Sequence, residues 1–85
     1  MSEQEIALAC GGRIKALRKE KGIRQYVLAR KIFVENAAIR KWERGVRLPK
    51  AYSLLLLAEA LGTTVQYLLT GEDVTNESNH CELPN

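Results

Sequence analysis

The sequence predicts an all-α domain of five helices, and three observations carry that prediction. Apolar residues recur at three- and four-residue spacing, and no segment alternates convincingly with period two. Glycines at positions 22, 45, 62 and 71 close the periodic stretches where helices would stop. A chain of 85 residues with 46% hydrophobic content supplies one core, with little room for a second core or a buried catalytic cleft.

Ser2 followed by Glu5 is a capping box and a local reason for a first helix to begin there. Ile6, Cys10, Ile14 and Leu17 define its buried stripe. Gly11 and Gly12 weaken it by about 1 kcal/mol each, so a start at Gly12 with frayed first turns stays open. The run Arg18-Lys19-Glu20-Lys21 puts cations at the C-terminal end of the dipole, before the stop at Gly22. A short second helix is expected over 25–32, with Leu28, Ala29 and Ile32 inward. A third is expected over 36–44, with Ala38, Ile39 and Trp42 on its apolar side and Gly45 ending it. Leu48-Pro49 closes a loop, because the residue before proline avoids the helical region. The fourth helix, over 50–61, is expected to bury Leu54, Leu55, Ala58 and Leu61. Thr63 or Thr64 caps a last short helix carrying Val65, Leu68 and Leu69, which ends at Gly71. Residues 1–71 thus form the domain, and residues 72–85 are a polar, acidic tail expected to be disordered.

Charge is distributed unevenly. The net charge is only +3, yet all thirteen Lys and Arg lie between Arg13 and Lys50, against Glu20, Glu35 and Glu43 alone, a local balance of +10. The tail carries Glu72, Asp73, Glu77 and Glu82, a balance of −4. A compact basic segment beside an acidic tail points to a polyanion partner.

Several function classes are excluded at this point. The apolar stretch Leu54–Ala58 is too short to cross a bilayer, and the acidic N-terminus is no secretory signal, so a cytoplasmic protein with reduced thiols is expected. One histidine, His80, and two cysteines, Cys10 and Cys81, cannot complete a four-ligand zinc site within one chain. There is no nucleophile beside a base and no P-loop, so no enzymatic activity, metal or cofactor is expected.

Two short helices separated by Phe33 and Val34 form the helix-turn-helix pattern, whose second helix enters the DNA major groove. The chain from Arg13 to Gly71, 59 of its 85 residues, resembles the phage repressor and Cro-type (XRE) helix-turn-helix domain. The matching text is Arg13-Ile14-Lys15-Ala16-Leu17-Arg18, Lys21-Gly22-Ile23-Arg24-Gln25 and Leu28-Ala29. It continues through Ile39-Arg40-Lys41-Trp42-Glu43-Arg44-Gly45, Pro49, Leu57-Ala58-Glu59-Ala60-Leu61-Gly62 and Leu68-Leu69-Thr70-Gly71. The resemblance implies a lambda-repressor-like five-helix fold and a sequence-specific regulator, most simply a bacterial or phage repressor acting at the nucleoid.

It also implies roles for particular residues. Asn36, Ala37 and Lys41 align with base-reading positions, with Glu35 and Arg40 beside them. Asn pairs bidentately with adenine, Lys or Arg with guanine, and Ala touches a thymine methyl. Gln25, at the start of the second helix, aligns with a phosphate contact, and Tyr26 either reaches a phosphate through its hydroxyl or packs half-exposed. Arg44, Arg47 and Lys50 follow the recognition helix, placed either to grip the backbone or, for Arg47 or Lys50, to enter a narrow minor groove. Arg18 and Glu43 align with a structural ion pair, Arg13 and Lys15 read as surface charge, and Trp42 reads as core.

Two residues depart from the pattern. Phe33 stands where the turn usually holds glycine, and Glu35 stands where Ser or Thr usually caps the recognition helix. Leu56, Val65 and Tyr67 are candidates for a dimer patch, since a two-fold dimer reading palindromic half-sites is the expected way to gain affinity for double-stranded DNA. The rival reading is a protein-interaction module on the same fold, such as an antitoxin or accessory subunit.

Overall fold

In the computed structural model, which describes residues 1–72, five α-helices follow in order: α1 (Glu3–Glu20), α2 (Gln25–Lys31), α3 (Asn36–Glu43), α4 (Ala51–Leu61) and α5 (Val65–Thr70). The described residues contain no strand. The disorder expected of the acidic tail, and the residues Cys81 and His80, lie outside the described residues.

The first helix starts at its capping box. Ser2 Oγ accepts from the Glu5 amide at 3.1 Å, and Glu5 Oε1 accepts from the Ser2 amide at 3.0 Å. It then runs unbroken through both glycines, so the alternative start at Gly12 is corrected. The reason is tertiary. A Cβ on Gly11 would stand 2.1 Å from the Trp42 carbonyl oxygen, so glycine there lets α1 lie directly on the end of α3. A second close approach follows at Gly45, where a Cβ would meet the Leu8 side chain at 2.5 Å. The N-terminal half of α1 therefore buttresses the chain just after α3.

One core joins all five helices: Cys10 and Ile14 of α1, Leu28 and Ala29 of α2, Ile39 and Trp42 of α3, Leu54, Leu57, Ala58 and Leu61 of α4, and Leu68 of α5, with Ile32 from the following turn. The expected inward face of α4 needs correction at one position. Leu55 is 53% exposed, and Leu57 takes its place at 0%. Four leucines in succession carry no phase of their own, and packing against α1 and α5 selects which of them turn inward.

Arg13, expected as surface charge, is half-buried, and its Nη1 donates to the Leu68 carbonyl at 3.0 Å, satisfying an acceptor near the end of α5. Thr64 caps the start of that helix, its Oγ1 accepting from the Tyr67 amide at 3.0 Å. Phe33 keeps the left-handed turn that glycine would favour, at φ 63°, and is 87% exposed, so no neighbour among the described residues stacks on it. The conformation costs about 1–2 kcal/mol in a residue bearing a Cβ.

Candidate nucleic-acid interface

Two short helices and a tight turn hold the candidate recognition helix. The turn closes with Val34 N donating to the Ala29 carbonyl at 3.0 Å, which sets the angle between α2 and α3. Helix α3 is strongly two-sided. Ile39, Trp42 and Glu43 are buried, whereas Arg40 and Lys41 are exposed, as are Glu35 before the helix and Arg44 at its end. Arg47 and Lys50 continue the exposed cationic series along the loop toward α4.

The inner end of α3 is clamped. Arg18 of α1 donates from Nε to Glu43 Oε2 at 2.6 Å and from Nη2 to Oε1 at 3.1 Å, with side chains only 10% and 2% exposed. Its Nη1 donates to the Ile23 carbonyl at 2.8 Å, so the guanidinium also fixes the loop before α2. Gln25 joins the same network, Nε2 donating to Glu43 Oε1 at 3.0 Å. That bond commits one amide N–H inward, which the sequence did not reveal. Gln25 is half-buried at the head of α2, and Tyr26 next to it is 50% exposed.

The aligned base-reading residues are displayed unequally. Lys41 and Arg40 stand free in solvent, and Ala37 is half-buried. Asn36 is half-buried as well, and its Oδ1 is buried with no hydrogen-bond partner. A side-chain rotation that turns this oxygen outward would relieve an unsatisfied buried acceptor and free it for a ligand. Glu35 makes no side-chain capping bond, so its carboxylate is free to face a ligand.

The three residues placed in the dimer patch, Leu56, Val65 and Tyr67, are each half-buried and pack one side on the core. Leu56 lines a cleft toward the end of α2. The more exposed apolar residues of α4 are Tyr52 and Leu55, at 71% and 53%. Sequence reasoning missed both, although Tyr52 and Leu56 share a helical face by their four-residue spacing. Among the described residues, no three His, Cys, Asp or Glu side chains converge as metal ligands, and no helix is long and apolar enough to cross a membrane. The remaining titratable core group is Cys10, whose thiol is pushed up by burial and pulled back in smaller measure by Arg13.

This arrangement has close counterparts. Residues 14–68 match the family described as Helix-turn-helix. The Repressor protein C2 of Salmonella phage P22 is 42% identical over 71 residues, covering 82% of this chain and 33% of that protein. The HTH-type transcriptional activator BcrR of Enterococcus faecalis is 34% identical over 62 residues, covering 73% of this chain and 30% of its own length. The chain thus spans about a third of these two relatives. A crystal structure of the P22 c2 repressor in complex with a synthetic operator superposes with a TM-score of 0.73 at 43% identity, covering 74% of this chain and 96% of that one. On the matched residues and the shared five-helix architecture, the chain belongs to the helix-turn-helix family.

Proposed function

We propose that this chain is the operator-reading part of a transcriptional repressor, binding double-stranded DNA as a homodimer with α3 in the major groove of each palindromic half-site. The observation that carries the reading is the two-sidedness of α3: Arg40, Lys41 and Arg44 stand in solvent on a helix whose other side is locked to α1 through Glu43. The P22 c2 repressor, of like sequence and fold, is known in complex with an operator, which supports the same use here.

In this reading Lys41, Asn36 and Ala37 touch base edges, with Arg40 and Glu35 at flanking positions, Glu35 accepting from a cytosine amino group. Gln25, Tyr26, Arg44, Arg47 and Lys50 hold phosphates and fix the register. Leu56, Val65 and Tyr67, extended by Leu55 and Tyr52, supply the apolar area between subunits. No cofactor or metal takes part, and the site of action is the cytoplasm. Selection from a pool of random duplexes at physiological salt tests the reading. A reproducible, palindrome-like sequence is the expected product. Absence of any enriched sequence overturns the reading and favours the rival protein-interaction module.

A further inference from the structure

Helix α1 does more than cover the core, because its first turns lie against the segment that follows α3. Gly45 is buried, and the three atoms nearest a Cβ built on it all belong to Leu8, with Cδ2 at 2.5 Å, Cα at 2.8 Å and Cγ at 3.0 Å. Leu8 is nonetheless 53% exposed, so it covers Gly45 from outside the core. Beside it, Glu3, Gln4 and Ala7 form one wall of an open cleft of about 310 Å³, whose other wall is Val46, Arg47 and Leu48. The backbone of this segment is tied to α3 as far as Val46, whose N–H donates to the Lys41 carbonyl at 3.0 Å. Among the described residues, no backbone hydrogen bond holds Arg47 or Leu48. Contact with α1 is the support this loop has instead.

We propose that Leu8 is a positioning residue for DNA binding: it fixes the chain at Gly45 and so sets where Arg47 meets a phosphate. The proposal rests on the reading above that Arg47 is a phosphate contact, and it adds a residue that touches no DNA itself. A side chain seated on a residue without a Cβ reaches the main chain directly, so it fixes backbone position. An arginine carried on a fixed backbone has less freedom to lose when it meets its phosphate, whereas a loop free to swing must be ordered at that moment. Helix α3 is held by a different device, the Glu43 pair with Arg18, so the base-reading residues do not depend on Leu8. Two supports from α1 thus divide the interface, Arg18 serving the recognition helix and Leu8 serving the loop after it.

Anisotropy titrations of the full chain against duplexes selected from a random pool are the test, with thermal melts to check that each variant is folded. Leu8→Ala keeps the approach of the helix backbone to Gly45 but lacks the Cγ and Cδ2 contacts. It is expected to weaken binding to every duplex alike, by about threefold or more, with base preference unchanged. Leu8→Met, which reaches the same place, is expected to restore most of the loss, and Leu8→Val to fall between. Double variants separate positioning from a general effect on the fold. In an Arg47→Ala background the Leu8→Ala loss is expected to disappear, because there is no guanidinium left to position; in a Lys41→Ala background it is expected to persist in full. A Leu8→Ala chain that binds like wild type, or a loss of equal size in the Arg47→Ala background, overturns the positioning role and leaves the DNA-binding reading standing. A wild-type chain that binds no duplex overturns both together.

Discussion

Arg18 and Glu43, on helices α1 and α3, meet through two hydrogen bonds of 2.6 and 3.1 Å in a pair almost closed to solvent. A charge pair so placed contributes more to position than to net stability, because desolvation consumes much of its Coulomb attraction. Its partners show what is being positioned. Gln25 at the head of α2 and the Ile23 carbonyl before it are bonded to the same two side chains, so both helices of the motif are referenced to α1.

Removing one partner leaves the other charge buried and unpaired. Glu43→Ala is therefore expected to cost about 3–5 kcal/mol in urea unfolding, since both the Arg18 and Gln25 bonds are lost. The double replacement Arg18→Met with Glu43→Leu is expected to cost clearly less than the sum of the single losses. Simple additivity of the singles would contradict a coupled pair.

Adjacent glycines in α1 are expected to respond with opposite signs. Gly12→Ala meets nothing within 4 Å, so helix propensity decides and the fold gains up to about 1 kcal/mol. Gly11→Ala drives a methyl into the Trp42 backbone, and overpacking of about 1–3 kcal/mol outweighs the same gain. Thermal melts of the two variants check this, and equal shifts would remove the role assigned to the α1–α3 contact.

What the sequence makes legible and what it does not divide along physical lines. Helix positions follow from apolar spacing and from glycine stops, and both are local: the expected stops at Gly22, Gly45, Gly62 and Gly71 all adopt positive φ. The burden of Gly11 is visible in the sequence, but its reason lies far along the chain at Trp42, as a contact of backbone with backbone. Leu54 to Leu57 show the limit of periodicity, since an unbroken apolar run fixes no face. At the candidate interface, Lys41 and Arg40 stand where their spacing from Ile39 and Trp42 puts them. The inward turn of Asn36 Oδ1 and the bond from Gln25 to Glu43 are choices of rotamer, and only tertiary packing decides those.

Base and phosphate contacts are expected to separate in binding titrations. Lys41 stands free on the middle of α3, so Lys41→Ala should cost about 1–3 kcal/mol at one operator position and relax preference there. Arg44 stands at the end of α3, so Arg44→Ala should weaken all duplexes alike and reduce the log–log salt slope by about 0.9. A sequence-selective loss at Arg44 would reverse the assignment.

Cys10 gives the core a dependence on alkaline pH. Burial holds its thiol above the ordinary value of 9.0, with the nearby Arg13 charge opposing the shift in part. In the unfolded chain the thiol ionises near that ordinary value, while in the folded chain it keeps its proton to higher pH. Above 9.0 the unfolded state therefore binds fewer protons than the folded one, and stability falls as pH rises, by at most about 1.4 kcal/mol per pH unit. Below that value this group contributes no slope. Urea midpoints of wild type and Cys10→Ala, followed from below 9.0 to above it, isolate the effect from other titrating groups. The wild-type curve is expected to fall more steeply on the alkaline side, and parallel curves would show that the thiol ionises alike in both states.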